Sequence, residues 1–294
     1  IAGLLSQDHR DRTFALKFVE RAYFQQSHHY VFEKLKNNTN SPPIVIAGGF
    51  LLHIVALYVS KDGVLSLYRA GIADFFLKML LSNAYEEHSK CTAAICAALW
   101  PFVKIDFDHI GTALANTFSD NQGVSQLLKV LTRFADDKCC ALESVELLVA
   151  MGKRGKRTML IMEKRGGVHA SLTVLELHRH DFKVLSATFE LVLLLLEQNS
   201  KATGRLMAGN FFEYLKEAFE RFGHTDLRFF TICCKIAEIF ACILSYRKIM
   251  QSQMHLHEII EKKMMDYPEN VADNIYAGAL RQVKLTVSQI RSRI

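Results

Sequence analysis

Apolar residues along this chain fall at helical rather than strand spacing, and the helical stretches recur in a fixed order. Around residue 157 the chain reads RTMLIMEKRGGVHASLTVLELHRHDFKVLSATFELVLLLLEQ. A short apolar helix runs to the glycine pair Gly166-Gly167, and an amphipathic helix starts at Val168. A polar break falls at His178 to Asp181, and a longer apolar helix closes the unit. The same order is legible in VLSLYRAGIADFFLKMLLSNAYEEHSKCTAAICAALWPFV, with Gly71-Ile72 at the break. It returns in RLMAGNFFEYLKEAFERFGHTDLRFFTICCKIAEIFACI, with Gly209 before Phe211. In the long helix, Val184, Leu185, Phe189, Val192 and Leu196 take helical spacing, and further leucines make its surface apolar nearly all round. Such a helix must be covered on several sides.

The first apolar residues after successive breaks are Ile72, Val124, Val168, Phe211 and Leu256, separated by 52, 44, 43 and 45 residues. Val31 lies 41 residues before Ile72 and opens a further unit. Repetition at this period marks a solenoid, in which each unit buries its apolar face against the next. The expectation is an all-α chain of five to six three-helix repeats, over residues 21–62, 63–105, 106–155, 156–199, 200–245 and 246–294. They form one solenoid over residues 1–294, a segment of a longer protein, with Ile1 to Glu20 also helical. The surplus of the longest interval is assigned to residues 106–122, as a longer first helix and loop. NNTNSPP, residues 37–43, reads as a turn with Pro42 and Pro43 near the start of the next helix.

The glycine-plus-aliphatic step between a short helix and two longer ones resembles the armadillo repeat more than the two-helix HEAT or TPR unit. It is carried by Ala70-Gly71-Ile72, Gly123-Val124, Gly166-Gly167-Val168 and Gly209-Asn210-Phe211, across residues 28–288. The resemblance implies a right-handed superhelical solenoid whose third helices line a concave groove, and a protein as the bound partner.

Composition fits long buried helices: half the residues are apolar and only four are proline. Cys91, Cys96, Cys139, Cys140, Cys233, Cys234 and Cys242 are odd in number and lack C-x-x-C spacing. They read as small hydrophobes in a reducing, cytoplasmic setting, not as a disulfide framework or zinc site. The apolar runs Leu191–Leu196 and Phe50–Val59, the latter interrupted by His53, are too short to cross a bilayer. His178-x-His180 with Asp181, and His255-x-His257 with Glu258, lack the i, i+4 spacing that aligns ligands on one helix face. GKRGKRT at 152–158 has the wrong spacing and no preceding strand for a phosphate loop. Asp136-Asp137 reads as a helix cap. No catalytic residue, cofactor or metal is therefore expected. The pairs Phe75-Phe76, Phe211-Phe212 and Phe229-Phe230 place one ring in the core and one toward the neighbouring repeat.

The net charge of +6 is too small, without stacking aromatics, to suggest nucleic acid. Its excess gathers at Lys153, Arg154, Lys156, Arg157, Lys164 and Arg165, a landing patch for an acidic partner such as an acidic peptide, a tubulin tail or a phosphoinositide, and again at Arg281, Lys284, Arg291 and Arg293. The groove candidates on the third helices are Thr92, Trp100, Lys104, Glu143, Glu146 and Lys235. The expected function is a non-catalytic scaffold that docks other proteins along its groove. Its expected setting is cytoplasmic, in a cytoskeletal, microtubule or ciliary assembly, with tubulin or other cytoskeletal subunits as partners. One alternative is a nuclear-transport adaptor of the importin-α kind, although the W-x-x-x-N pattern of that family meets Lys104 after Trp100. Another is the regulatory arm of a larger signalling protein.

Overall fold

The computed structural model describes residues 27–82, 84–85, 87–105, 109–198, 201–252, 255–264, 284–285 and 287–288. The expected helix at Ile1–Glu20 and the basic residues Arg281, Arg291 and Arg293 lie outside this set. The described residues form sixteen helices and no strand. The chain divides into two units, Ile1–Arg165 and Gly166–Ile294. The predicted repeat 156–199 is thus divided after its first helix.

The first unit holds α1 (Ser27–Asn37), α2 (Pro42–Tyr58), α3 (Lys61–Arg69), α4 (Ile72–Leu81), α5 (Ser89–Ile105), α6 (Ile110–Asp120), α7 (Gly123–Arg133), α8 (Lys138–Arg154) and α9 (Lys156–Lys164). The second holds α10 (Gly167–His178), α11 (Phe182–Gln198), α12 (Lys201–Ala208), α13 (Phe211–Phe222), α14 (Leu227–Ala241), α15 (Leu244–Ser252) and α16 (Leu256–Met264). Two shorter helices precede each long helix from α5 to α14; they are equal in length at α6 and α7, with 11 residues each. The long helices α2, α5, α8 and α11 each have 17 residues, and α14 has 15. Long helices pack on long helices, α2 on α5 and α5 on α8 in the first unit, and α11 on α14 in the second.

Two local devices set the period. The residue before α4, α7, α10, α13 and α16 has left-handed backbone: Gly71 (φ 81), Gln122 (φ 62), Gly166 (φ 95), Asn210 (φ 55) and His255 (φ 49). This conformation ends the short helix and turns the chain sharply into the next. An aspartate then stands before the long helix in three repeats. Asp137 accepts from the N–H groups of Cys139 and Cys140, Asp181 from Lys183 and Val184, and Asp226 from Phe229. Each satisfies donors that the first helical turn leaves open. The surplus of the long interval lies only partly where the sequence suggests. The α5–α6 connection and the α4–α5 connection at residues 82–88 are each three residues longer than their equivalents in the following repeat, and α6 is two residues longer than α9.

Two kinds of contact fill the core. In the first, α2 and α5 approach so closely that a Cβ on Gly49 would stand 2.8 Å from the Ala94 carbonyl oxygen. In the second, phenylalanines fill the space. Phe211 meets Phe189 of α11 at 5.6 Å between centroids, whereas Phe212 meets Tyr246 of α15 at 6.2 Å. Both rings are buried and both also pack on Phe240 of α14, so the pair is not divided into one core ring and one ring for the neighbouring repeat.

Of the six left-handed positions among the described residues, the sixth being His109 (φ 62) before the short helix α6, only two are glycine, and Gly166 has open space where a Cβ would go. Gly166→Ala is therefore expected to cost about 1–2 kcal/mol through backbone strain alone. Gln122→Gly should be neutral or stabilising by a smaller amount. Urea unfolding followed by circular dichroism checks both, and equal losses at the two positions would refute strain as the cause.

Candidate functional site

The third-helix surface of the first unit is built around α5, whose residues Cys91 to Leu99 are all buried. Burial of a whole helix requires that its backbone be satisfied internally or by neighbours. Two places need outside help. Pro101 has no N–H, so the carbonyl of Ala97, four residues earlier, has no intrahelical donor. His53 of α2 supplies one, with Nδ1 2.6 Å from the Ala97 oxygen. A carbonyl can only accept, so Nδ1 carries the proton. At the end of α5, Arg154 of α8 donates Nε to the Val103 carbonyl at 3.1 Å and a second nitrogen to that of Lys104. At its start, the Ser89 hydroxyl donates to Asp137 at 2.6 Å, which ties the α5 N-terminus to the cap of α8. Here Asp137 holds its carboxyl below the usual range, because these hydrogen bonds outweigh the upward push of burial.

What remains exposed recurs at fixed positions. The second residue of each 17-residue helix in this unit is exposed (Pro43, Lys90 and Cys139), and so is the sixteenth (Leu57, Lys104 and Lys153). Between them, Phe50 and Glu146 are half-buried at the ninth position, but Ala97 is covered. The surface is therefore pinched at α5 and opens toward the C-terminal ends of the helices. There Leu57 is 45 % and Tyr58 39 % exposed. The half-buried Trp100 ring lies 6.0 Å from His53 and carries the Lys104 ammonium 4.0 Å above its face. This cation–π contact holds a charge at the rim without a carboxylate partner on the ring.

Each residue expected from sequence finds a definite place. Thr92 is a correction. It is 2 % exposed, its hydroxyl donates to the Tyr85 carbonyl at 3.2 Å, and it lines a small cavity with Tyr85 and Gln126 rather than the surface. Trp100, Lys104 and Lys153 share the C-terminal rim. Glu143 and Glu146 are half-buried on α8, where burial pushes the Glu143 carboxyl up to about 7, with Glu146 adding to the effect. Lys235 is exposed on α14 of the second unit. The basic cluster does not act as one patch. Arg154 closes α5, Arg157 pairs with Asp120 of α6, and Lys156, Lys164 and Arg165 stand exposed on or just after α9.

Other candidate chemistry is absorbed locally. Asp181 caps α11, and His180 faces Arg221 and Glu217. His255 is one of the left-handed turn residues, with its ring 3.4 Å from Glu258. Burial raises the thiol pKa of Cys91, Cys96, Cys139, Cys140, Cys233 and Cys234, although Cys139, like Cys242, is exposed at the surface. Sequence reasoning missed His53, Leu57 and Tyr58. The signal for His53 was present: a proline inside an apolar helix orphans a carbonyl, and His53 is the one polar side chain in the run Ile44–Tyr58.

His53→Leu is expected to cost about 1–3 kcal/mol by leaving the Ala97 carbonyl unpaired. In a Pro101→Ala background the restored N–H reaches that carbonyl, and the cost should shrink. Denaturation of the four proteins closes the cycle, and equal costs in both backgrounds would sink the assignment. Burial lowers the His53 pKa below 6.5, although the hydrogen bond opposes it. The unfolded chain therefore takes up the proton first, and the stability associated with neutral His53 declines as pH falls below about 6.5. Glu143 acts in the opposite sense, because its raised pKa penalises the folded state above about pH 7 and the penalty fades toward 4.5. Glu143→Gln should raise the melting temperature above neutral pH and have little effect near pH 4.5.

No family model matches the chain, and no curated protein matches it. Among solved structures, the chain is similar to crystal structures of engineered proteins from the Northeast Structural Genomics Consortium. One aligns with a TM-score of 0.61 at 14 % identity, over 90 % of this chain and 97 % of that one. A second gives 0.59 at 15 % identity, over 90 % and 98 %, and a third 0.53 at 14 %, over 98 % and 77 %. The likeness is one of fold, and it agrees with helices packed in series as an α-solenoid.

Proposed function

We propose that the chain is an armadillo-like, non-catalytic scaffold that docks a protein segment across the C-terminal rim of its third helices. The observation that carries this reading is the recurrence of exposure at one helix position, which presents Leu57, Lys104 and Lys153 from three neighbouring helices. Regular side chains on adjacent repeats bind an extended partner at several points, so affinity accumulates along the array. The chemistry is graded. The α2 end offers Leu57 and Tyr58 to an apolar side chain, Trp100 offers a half-buried aromatic anchor, and Lys104 and Lys153 offer charge to carboxylates. An acidic segment with an apolar residue at one end suits this order. Acidic tails of cytoskeletal subunits, tubulin among them, are one class with that character, and a cytoplasmic or ciliary assembly is the setting this reading favours. The Trp–Asn ladder of transport adaptors is not adopted, because the position four residues after Trp100 is the lysine that covers its ring.

Cross-linking of the native protein in lysate, with mass spectrometry of the linked lysines, identifies the partner and the surface. Links centred on Lys104 and Lys153 are expected. Once the partner is in hand, Lys104→Glu with Lys153→Glu should weaken binding about tenfold at low salt and less at high salt. Leu57→Ser should weaken it at every salt concentration. Unchanged affinity in both variants would remove the rim as the docking surface.

A further inference from the structure

Helix α9 has a surface that the rim does not use. Its sequence, KRTMLIMEK, turns Thr158, Met159 and Met162 inward. The outward side carries Lys156, Leu160 and Lys164 on three successive turns, followed at once by Arg165. Leu160 is 51 % exposed, a large apolar side chain held in water between two cations. The only acidic residue of the helix, Glu163, is buried on the inward side. Arg157 is turned aside by its ion pair with Asp120 of α6.

An exposed leucine flanked one turn on either side by lysine matches a water–lipid boundary. The apolar group enters the acyl region while the lysine stems extend along it and keep their ammonium groups at phosphate level. A single nine-residue helix offers no walls that could enclose a peptide, whereas a plane of anionic headgroups needs none. We propose that the outer face of α9 docks reversibly on anionic phospholipid surfaces. Lys156, Lys164 and Arg165 meet the phosphates, and Leu160 inserts at the boundary. With so few charges and one inserted side chain, attachment depends on the fraction of acidic lipid and falls with salt.

Flotation of the whole chain with phosphatidylcholine vesicles, with and without phosphatidylserine, tests this. Recovery is expected only with phosphatidylserine, and added salt should reduce it. Lys156→Gln and Lys164→Gln should each weaken binding roughly fivefold, and Leu160→Ser should weaken it at all salt concentrations. Leu160→Trp should shift its emission to the blue on phosphatidylserine vesicles alone. Circular dichroism of each variant confirms that these exposed substitutions leave the fold intact. Equal recovery with both kinds of vesicle, or with neither, would overturn the proposal. So would binding to polyglutamate that is insensitive to Leu160→Ser, which assigns the face to an acidic protein instead. Leu57→Ser at the rim should leave vesicle binding unchanged, so failure here and failure of the docking reading are separable.

Discussion

The enclosure of α5 constrains the rest of the first unit. A 17-residue helix with nine consecutive buried residues cannot turn any side to water for help with its backbone. Its small residues Ala93, Ala94, Ala97 and Ala98 let α2 and α8 come close, and that closeness makes every irregularity in its hydrogen bonding expensive. The neighbouring long helices meet that demand with His53 and Arg154, and Asp137 fixes the other end. Side chains that look like binding chemistry in isolation are thereby committed to holding repeats together. The exposed rim is what remains.

This commitment explains which parts of the molecule were legible in the sequence. The period was plain, because left-handed turn residues and aspartate caps recur at nearly constant spacing and the apolar faces between them are long. The division of Phe211 and Phe212 into a core ring and an inter-repeat ring was not legible, because both rings converge on Phe240 of α14. Facing within the third helices was harder to read. Thr92 lies one turn from residues that do reach the surface, and it is internal because Met79, Leu80, Tyr85, Gln126 and Val130 close around it. Arg154 and Lys153 are neighbours in sequence, yet one is spent on the carbonyls of α5 and the other stands exposed. Charge composition sees two cations where the fold distinguishes a bolt from a surface group.

Two kinds of core contact differ in how they tolerate change. Close approach through alanine and glycine leaves no room for growth, so an added methylene between α2 and α5 must displace backbone. Phenylalanine-filled contacts have interlocked rings instead, with Phe189, Phe211, Phe229 and Phe240 all fully buried. Loss of a ring there opens a cavity rather than a clash. Both kinds occur in each unit: Phe76 and Phe118 are fully buried in the first, and a Cβ on Gly209 would stand 2.3 Å from Leu172 in the second.

Pro101 carries a consequence for folding. A helix interrupted by proline is normally weakened at that point, and here the missing bond is supplied from the preceding repeat. The ladder of α5 is completed by its neighbours, so the repeat that contains α5 is not self-sufficient. Local opening of α2 or α8 strips α5 of partners that water cannot replace while the helix stays enclosed. Three successive repeats are in this way bound into one cooperative block, in an architecture whose repeats otherwise fray one at a time from the ends.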